Sequence, residues 1–326
     1  DDATGWGHGA TARGPYAASV GGSTTASGEY STAMGGSTTA SGNASTAMGD
    51  FTTASGFSST AMGWSTEASG FASTAMGIGT TASGEYSTAM GWFTRASGLY
   101  STAMGTETTA SGEYSTSMGG STVASGAYSS ASGGATTAKD YLSFVIGVHN
   151  KTDETPNPDS FSYQNTAFVI GNGGYDSEGN YVGTSDTFSN AFEVLFDGTT
   201  TIAGDLNINS DARLKANIIS LGATLSKLLQ IDGKTYTMKK DTNHKKKIGL
   251  LAQDIEKVFP ELVTETNDIK SVNYQGLVPV LINAMKEQDE VIRSQDAINK
   301  KQQQEIDTYK KELDELKTMV KQLISK

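Results

Sequence analysis

The chain contains no cysteine, so neither disulfides nor thiolate metal sites can hold it together. It has only five prolines. No apolar run approaches the roughly 18–20 residues needed to span a bilayer, which excludes a membrane-inserted helix. Basic charge is nearly missing from the first two thirds. Residues 1–210 hold only Arg13, Arg95, Lys139 and Lys151 against 18 acidic residues, a balance of −14; residues 211–326 hold 20 basic and 17 acidic, a balance of +3. No basic stripe for nucleic acid exists, and Lys245, Lys246 and Lys247 read as a solvated loop. His8, His149 and His244 lie far apart, and no spacing suggests a metal or cofactor site. The opening "DDATGWGHGA" has no initiator Met, basic segment or apolar segment, as expected of a chain whose original N-terminus has been removed. Hydrophobic residues make up 36%, too few for one ordinary globular core across 326 residues.

What is abundant is glycine, 38 residues, and it is periodic. The phrase "STAMGGSTTASGNA" (31–44) reopens at 45 and sets a period of 14. One glycine column runs from Gly7 through Gly35 and Gly77 to Gly133, and a second from Gly14 to Gly126. Thr occupies 24, 38, 52, 66, 80, 94, 108, 122 and 136, and Met fills 34, 48, 62, 76, 90, 104 and 118. So short a period predicts a solenoid. The seven-residue half-repeat reads as a short strand and a corner, with glycine supplying positive φ at the corner. Two strands would make one turn; the nine intervals from Gly7 to Gly133 would span roughly 43 Å at about 4.8 Å each. Two glycines per repeat exclude long helices. The small Ala and Met side chains of one turn are not expected to build a core for a single chain, so several identical rods should pack together to bury their apolar edges.

"STAMGGSTTASG" resembles the "S-x-A-h-G…A-x-G" repeat (h apolar) of trimeric autotransporter adhesin heads, over about 7–133. The resemblance implies a left-handed parallel β-roll that forms as a trimer. Two columns invite a functional reading. The Thr column is either an ordered ladder of the ice-binding kind or a set of residues that suit stacked strands. The variable corners collect Phe51, Phe57, Trp64, Phe71, Trp92, Phe93 and Tyr100, with Trp64 and Trp92 two turns apart in one column. Flat rings there either contact a host-surface glycan or receptor, with Trp64, Trp92 and Phe93 the candidates, or pack against a neighbouring chain.

Residues 139–209 read as a β-rich neck. "LSFVIG" (142–147) and "TAFVIG" (166–171) repeat one strand type around the loop "NKTDETPNPDSF" (150–161). "GNGGYDSEGNYVG" (171–183) is turn chemistry; Asp176, Glu178 and Asn180 mimic the start of a calcium loop, but Tyr181 and Thr187 break that pattern. Residues 210–275 read as compact α+β: "LGATLSKLLQI" (221–231) has helical spacing, "GKTYTMKK" (233–240) alternates, and "KIGLLAQDIEKVFPELV" turns from strand to helix. Beyond 276 a long helix settles into 3-4 spacing, Met285, Gln288, Ile292, Gln295, Asn299, Gln302, Ile306, Tyr309, Leu313, Leu316, Val320 and Leu323, a coiled coil with a polar middle. The predicted fold class is therefore a mainly β N-terminal solenoid, an α+β module and a C-terminal trimeric coiled coil.

"SDARLKANI", "LLAQDIEKVFPELV" and "VNYQGLVPVLINAMKEQ" occur in order and resemble the C-terminal intramolecular chaperone of phage tail spikes and fibres, the endosialidase type, over about 206–300. That family trimerises, helps the preceding β-structure fold in register, and cuts itself off. The resemblance implies cleavage between Ser210 and Asp211, with Ser210 and Lys215 as a catalytic pair and Gln253 in support. To act as a base Lys must be neutral, which requires burial or nearby positive charge. Arg213 is a candidate for supplying that charge or binding an oxyanion. Attack by Ser210 Oγ on its own carbonyl would close a four-membered ring, so a neighbouring chain or the Asp211 carboxylate is needed. A Ser-Asp start also suits a helix N-cap. The expected product is a homotrimeric virion tail fibre or surface fibre, needing no cofactor, whose only enzymatic act is one-turnover serine autoproteolysis. The alternatives are a bacterial surface adhesin with a non-cleaving trimerisation cap, an ice-binding solenoid, and a polysaccharide-cutting spike, for which the single corner acids Glu29, Glu85 and Glu113 offer no carboxylate pair.

Overall fold

A computed structural model describes residues 2–152, 155–176, 178–239 and 244–325. Asp153 and Glu154 of the predicted loop 150–161, Ser177 of the turn 171–183 and Lys240 of the strand 233–240 lie outside the described residues. The chain forms two compact units, 1–207 and 208–326.

In the first unit each fourteen-residue repeat contributes one five-residue strand, such as Thr32–Gly36, and one two-residue strand, such as Thr39–Ala40. Like strands of successive repeats pair in parallel and strictly in phase, Met76 beside Met90 and Gly77 beside Gly91. The long strands begin a 14-stranded sheet, and the short ones make a 10-stranded sheet. The sheet repeats and the sequence period are therefore one object, a β-solenoid.

The interior is built from four residues per turn, exemplified by Ser31, Ala33, Thr38 and Ala40, all fully buried. The inward positions are odd on the long strand and even on the short one. A seven-residue half-repeat demands this, because an odd number flips the in–out alternation at every corner. The flip is made by one left-handed residue every seventh position from Gly9 to His149. Most of these residues are not glycine: Tyr30, Ser37, Phe51 and Tyr100 all have φ near +55°. From Ser23 onward each N–H there donates to the previous turn, Ser37 to Gly22 O at 2.8 Å and Ala44 to Glu29 O at 2.7 Å.

Two expectations are corrected. The left-handed corner is carried mainly by Tyr, Ser and Ala. Of the glycine columns, the one through Gly77 lies at φ near +120°, while the one through Gly70 has no positive φ and is held to glycine by close approach, a Cβ there falling 2.0 Å from Gly84 O. Second, the alanines do form an interior within a single chain, each methyl contributing about 0.8 kcal/mol, and only the Met column faces outward. Of the two readings of the Thr column, burial supports residues that suit stacked strands over a ladder presented to ice. Where Ser replaces the inward Ala, the Thr hydroxyl gains a partner: Ser19 Oγ and Thr24 Oγ1 lie 2.8 Å apart, Ser117 and Thr122 2.7 Å.

The roll ends where Asp140 takes the glycine slot. Its buried carboxylate accepts from the N–H of Asn157 (2.8 Å) and of Thr166 (3.0 Å), pinning the neck loop. Strand Phe144–Val148 then pairs with Thr166–Asn172 in parallel, and Asn190–Leu195 and Thr200–Ile202 add antiparallel strands. Asp176 accepts from the N–H of Glu178 and of Asn180, so its carboxylate closes a turn.

The second unit contains α1 (Leu225–Leu228), α2 (Ala252–Val258) and α3 (Leu277–Ile324), with hairpins Lys234–Tyr236/Lys247–Gly249 and Val263–Thr266/Ile269–Val272. Its core is Ile255, Phe259, Leu262, Leu277 and Val280. α1 is shorter than the spacing of 221–231 predicts. Beyond Ala284 the apolar positions of α3 are exposed, Met285, Leu313 and Leu323 among them.

Candidate functional site

The Ser-Asp segment does not open an α-helix. A 3-10 turn, Ala212–Leu214, begins after Asp211, whose Oδ1 accepts from Arg213 N at 2.8 Å. Asp211, not Ser210, is therefore the cap, which leaves the Ser210 hydroxyl free of the backbone. The turn reverses the chain just enough for Lys215 Nζ to donate to Ser210 Oγ at 2.7 Å. An ammonium or amine and a hydroxyl five residues apart thus share a hydrogen bond, the geometry a Ser-Lys pair needs.

Arg213 stands differently from the expectation. Its Nε and Nη2 grip both oxygens of Asp211, at 3.1 Å and 2.6 Å. These bonds hold the Asp211 carboxyl below its ordinary range and raise the Arg213 guanidinium. The pairing engages Nε and Nη2 with both carboxylate oxygens, so in the single chain Arg213 and Asp211 are directed at each other rather than at Ser210. Gln253 lies exposed on α2, and among the described residues no hydrogen bond joins it to Ser210, Lys215 or Arg213. Ser210 and Lys215 are both exposed in the single chain.

Sequence reading missed Glu287, which lies on α3 some 60 residues from its partners. Its carboxylate accepts from the N–H groups of Thr224 and Leu225, and Thr224 Oγ1 donates to Val280 O at 3.1 Å. The start of α1 is thus capped from another helix, a long-range bond with no local signature. The amide of Thr224, first, and then that of Leu225 hold the Glu287 carboxyl below its ordinary value of 4.5. A depressed carboxyl stabilises the fold above its unfolded-state pKa and loses that contribution as pH falls through its folded-state value. In urea titrations of the C-terminal unit, Glu287→Ala is therefore expected to lower the midpoint at neutral pH. The gap from wild type should close in acid, below the ordinary carboxylate range. A gap that persists unchanged in acid would show that the carboxylate charge does not hold α1.

On the roll, Trp64 and Trp92 flank Ile78 in register, with Phe93 beside Trp92 at a ring distance of 4.6 Å. Phe57 and Phe71 behave otherwise. They stack on each other at 5.2 Å, Phe71 then meets Tyr86 edge-on at 64°, and Tyr86, Tyr100, Tyr114 and Tyr128, all at positive φ, form a parallel stack 4.7–4.9 Å apart. That stacking offsets part of the cost of placing bulky residues at positive φ, since each pair contributes about 0.5–1.5 kcal/mol.

No helix among the described residues is long and apolar enough to cross a membrane. Residues 210–264 match the family model described as the chaperone of endosialidase. Five segments between 26 and 136 match that of the YadA head domain repeat. Among curated proteins, the chain is similar to long tail fiber protein Gp37 of Salmonella phage S16, with 34% identity over 127 residues, covering 36% of this chain and 15% of that protein. It is also similar to Gp37 of Enterobacteria phages M1 and Ox2, with 32% identity over 116 residues, covering 31% of this chain and 46% of each. The chain spans less than half the length of these curated relatives. In chain order, then, segments similar to the YadA head repeat precede one similar to the endosialidase chaperone, and the chain is similar to phage long tail fibre proteins.

Proposed function

We propose that three copies of this chain form part of a phage tail fibre, with the roll (1–138) and neck (139–209) as its shaft. The module 210–275 and the helix 276–326 form a chaperone that aligns the three chains and then leaves by cleavage at Ser210–Asp211. The observation that carries this reading is the Lys215–Ser210 hydrogen bond within the segment similar to the endosialidase chaperone. Two further features support assembly. The outward Met column forms an unbroken apolar line over seven turns, and the 3-4 seam of α3 lies exposed from Met285 to Leu323. Both are surfaces that partner copies would cover.

Identical turns explain why a chaperone is needed. Two rolls displaced by one repeat meet nearly the same neighbours, so the repeats fix register poorly. Pairing of distant segments is also slow and leaves strand edges open to aggregation. A trimer nucleated at the C-terminus sets the phase before the turns form, and its later release leaves a kinetically trapped shaft. The virion tail is the corresponding location, and Trp64, Trp92 and Phe93 are the proposed contacts to the host surface.

The test is to produce the chain with and without residues 210–326. The full chain should give a folded product whose native mass is three shafts. The chain stopped after Asn209 should collect mostly as aggregate or as mixed oligomers. Equal yields of well-formed trimer from both would remove the need for the chaperone.

A further inference from the structure

The two edges of the roll carry aromatic rings in opposite ways. Along one edge, Tyr86, Tyr100, Tyr114 and Tyr128 stack in parallel, so that ring lies against ring although each is exposed to about the same extent as the tryptophans. Along the other edge, Trp64 pairs with no ring among the described residues, and Trp92 meets Phe93 edge-on at 79°. Both indoles are about half exposed. They lie two turns apart, about 9.6 Å at the usual strand spacing, with Ile78 between them.

This patch is a local departure from the repeat. The same column holds Gly36 and Asp50 before Trp64, and Thr106 and Gly120 after Trp92. The outward position of the short strand is Thr in most turns, yet it is Glu67 and Arg95 in the two turns that bear the tryptophans. Neither is in an ion pair among the described residues. Between them Gly79 leaves a gap over which the Phe93 ring leans, within 2.7 Å of where a Cβ would stand. Four coincident departures confined to three turns are not what a seam along the whole rod requires; the Met column, uniform over seven turns, has that character.

We infer that this corner docks a neutral glycan, two pyranose rings of which lie on the faces of Trp64 and Trp92. A pyranose offers an apolar C–H face to a flat ring and a rim of hydroxyls to polar groups. Glu67 provides acceptors and Arg95 donors, and together they carry no net charge, which fits a polyhydroxylated ligand better than a charged peptide. The inference rests on reading the roll as a free fibre surface and names the chemistry that surface would meet.

The experiment uses the full chain as assembled, passed over immobilised neutral bacterial O-polysaccharides, with an anionic capsular polysaccharide and a bare surface beside them. Wild type should be held by at least one neutral polysaccharide. Trp64→Ala and Trp92→Ala should each weaken it by about tenfold or more, as for aromatic anchors of other interfaces. Trp92→Phe should restore part of the loss, and Tyr100→Ala, which removes a ring stacked between Tyr86 and Tyr114, should change nothing. The inference is overturned by binding to no neutral polysaccharide, by binding that survives both Trp→Ala changes, or by equal loss in Tyr100→Ala. It is equally overturned if Trp64→Ala and Trp92→Ala abolish the trimer, since the patch would then be an interchain contact. Native mass of wild type, measured on the same samples, reports separately on the fibre reading.

Discussion

Replacing Lys215 with alanine is expected to leave the chain whole, where wild type separates into a fragment ending at Ser210 and one beginning at Asp211. Ser210→Ala should do the same. The loss should be essentially complete, because a one-turnover reaction without its nucleophile or base has no second route of comparable rate; single deletions in serine hydrolases cost up to about 10⁶. The warrant is the 2.7 Å contact between Lys215 Nζ and Ser210 Oγ. Lys215→Arg is a sharper variant, since it keeps the positive charge and much of the reach but cannot act as a base at neutral pH. It should be as inactive as Lys215→Ala. Intact mass of purified protein decides the matter. A wild-type chain that folds, trimerises and stays whole would sink the self-release, and the adhesin with a permanent cap would then be the better reading.

The geometry also narrows how the bond is attacked. A four-membered ring rules out Ser210 acting on its own carbonyl, and Arg213 already holds both oxygens of Asp211. For the proposed cleavage, the expected route is attack on the Ser210–Asp211 bond of another copy. Both side chains are exposed in the single chain, and assembly would supply the burial that favours a neutral amine. Co-folding wild type with an excess of a tagged Ser210→Ala chain separates the cases. Attack between chains cuts tagged chains within mixed trimers, whereas attack within a chain leaves every tagged chain intact.

Much of the roll was legible because each column answers to one steric demand, and a demand met nine times is visible without an alignment. The direction of the Thr column was not. Thr38 precedes its strand, and its inward aim depends on Ser37 taking a left-handed conformation, which no serine advertises. The glycines misled for a related reason: the residues that turn the corner are mainly Tyr, Ser and Ala, their strain offset by bonds to the turn before and, for the tyrosines, by stacking. At the proposed cleavage segment, Lys215 Nζ and Ser210 Oγ lie 2.7 Å apart, while Arg213 and Asp211, given separate tasks from the sequence, pair with each other across a two-residue spacing. Glu287 had no local signal at all. Glu67 and Arg95 did have one, as breaks in a column of threonines, each three residues after a tryptophan in the same repeat.

The glycine column through Gly77 should be the least tolerant feature of the shaft. Gly77 has φ +121°, a region that L side chains rarely adopt, and a Cβ there would stand 2.0 Å from Gly91 O and 2.9 Å from its carbonyl carbon. Both atoms are backbone of the next turn, so nothing flexible can move aside. Backbone strain alone amounts to about 1–3 kcal/mol. Parting two paired strands adds to it, which puts Gly77→Ala in the range of roughly 4 kcal/mol or more per chain seen only for the most damaging single changes. The defect would recur in every copy of an assembly. Gly120→Ala is the matched control: a Cβ there meets nothing within 4 Å, and its column already accepts Asp50, Trp64 and Thr106. That change should be within about 0.5 kcal/mol of neutral. Resistance to protease on heating, with native mass alongside, reads both. Gly77→Ala should yield no protease-resistant shaft, or one that opens tens of degrees below wild type, while Gly120→Ala should match it. If Gly77→Ala folds with wild-type resistance, adjacent turns do not approach as closely as 2.0 Å from that Cβ position implies, and the spacing of the roll must be set by the side chains of its interior instead.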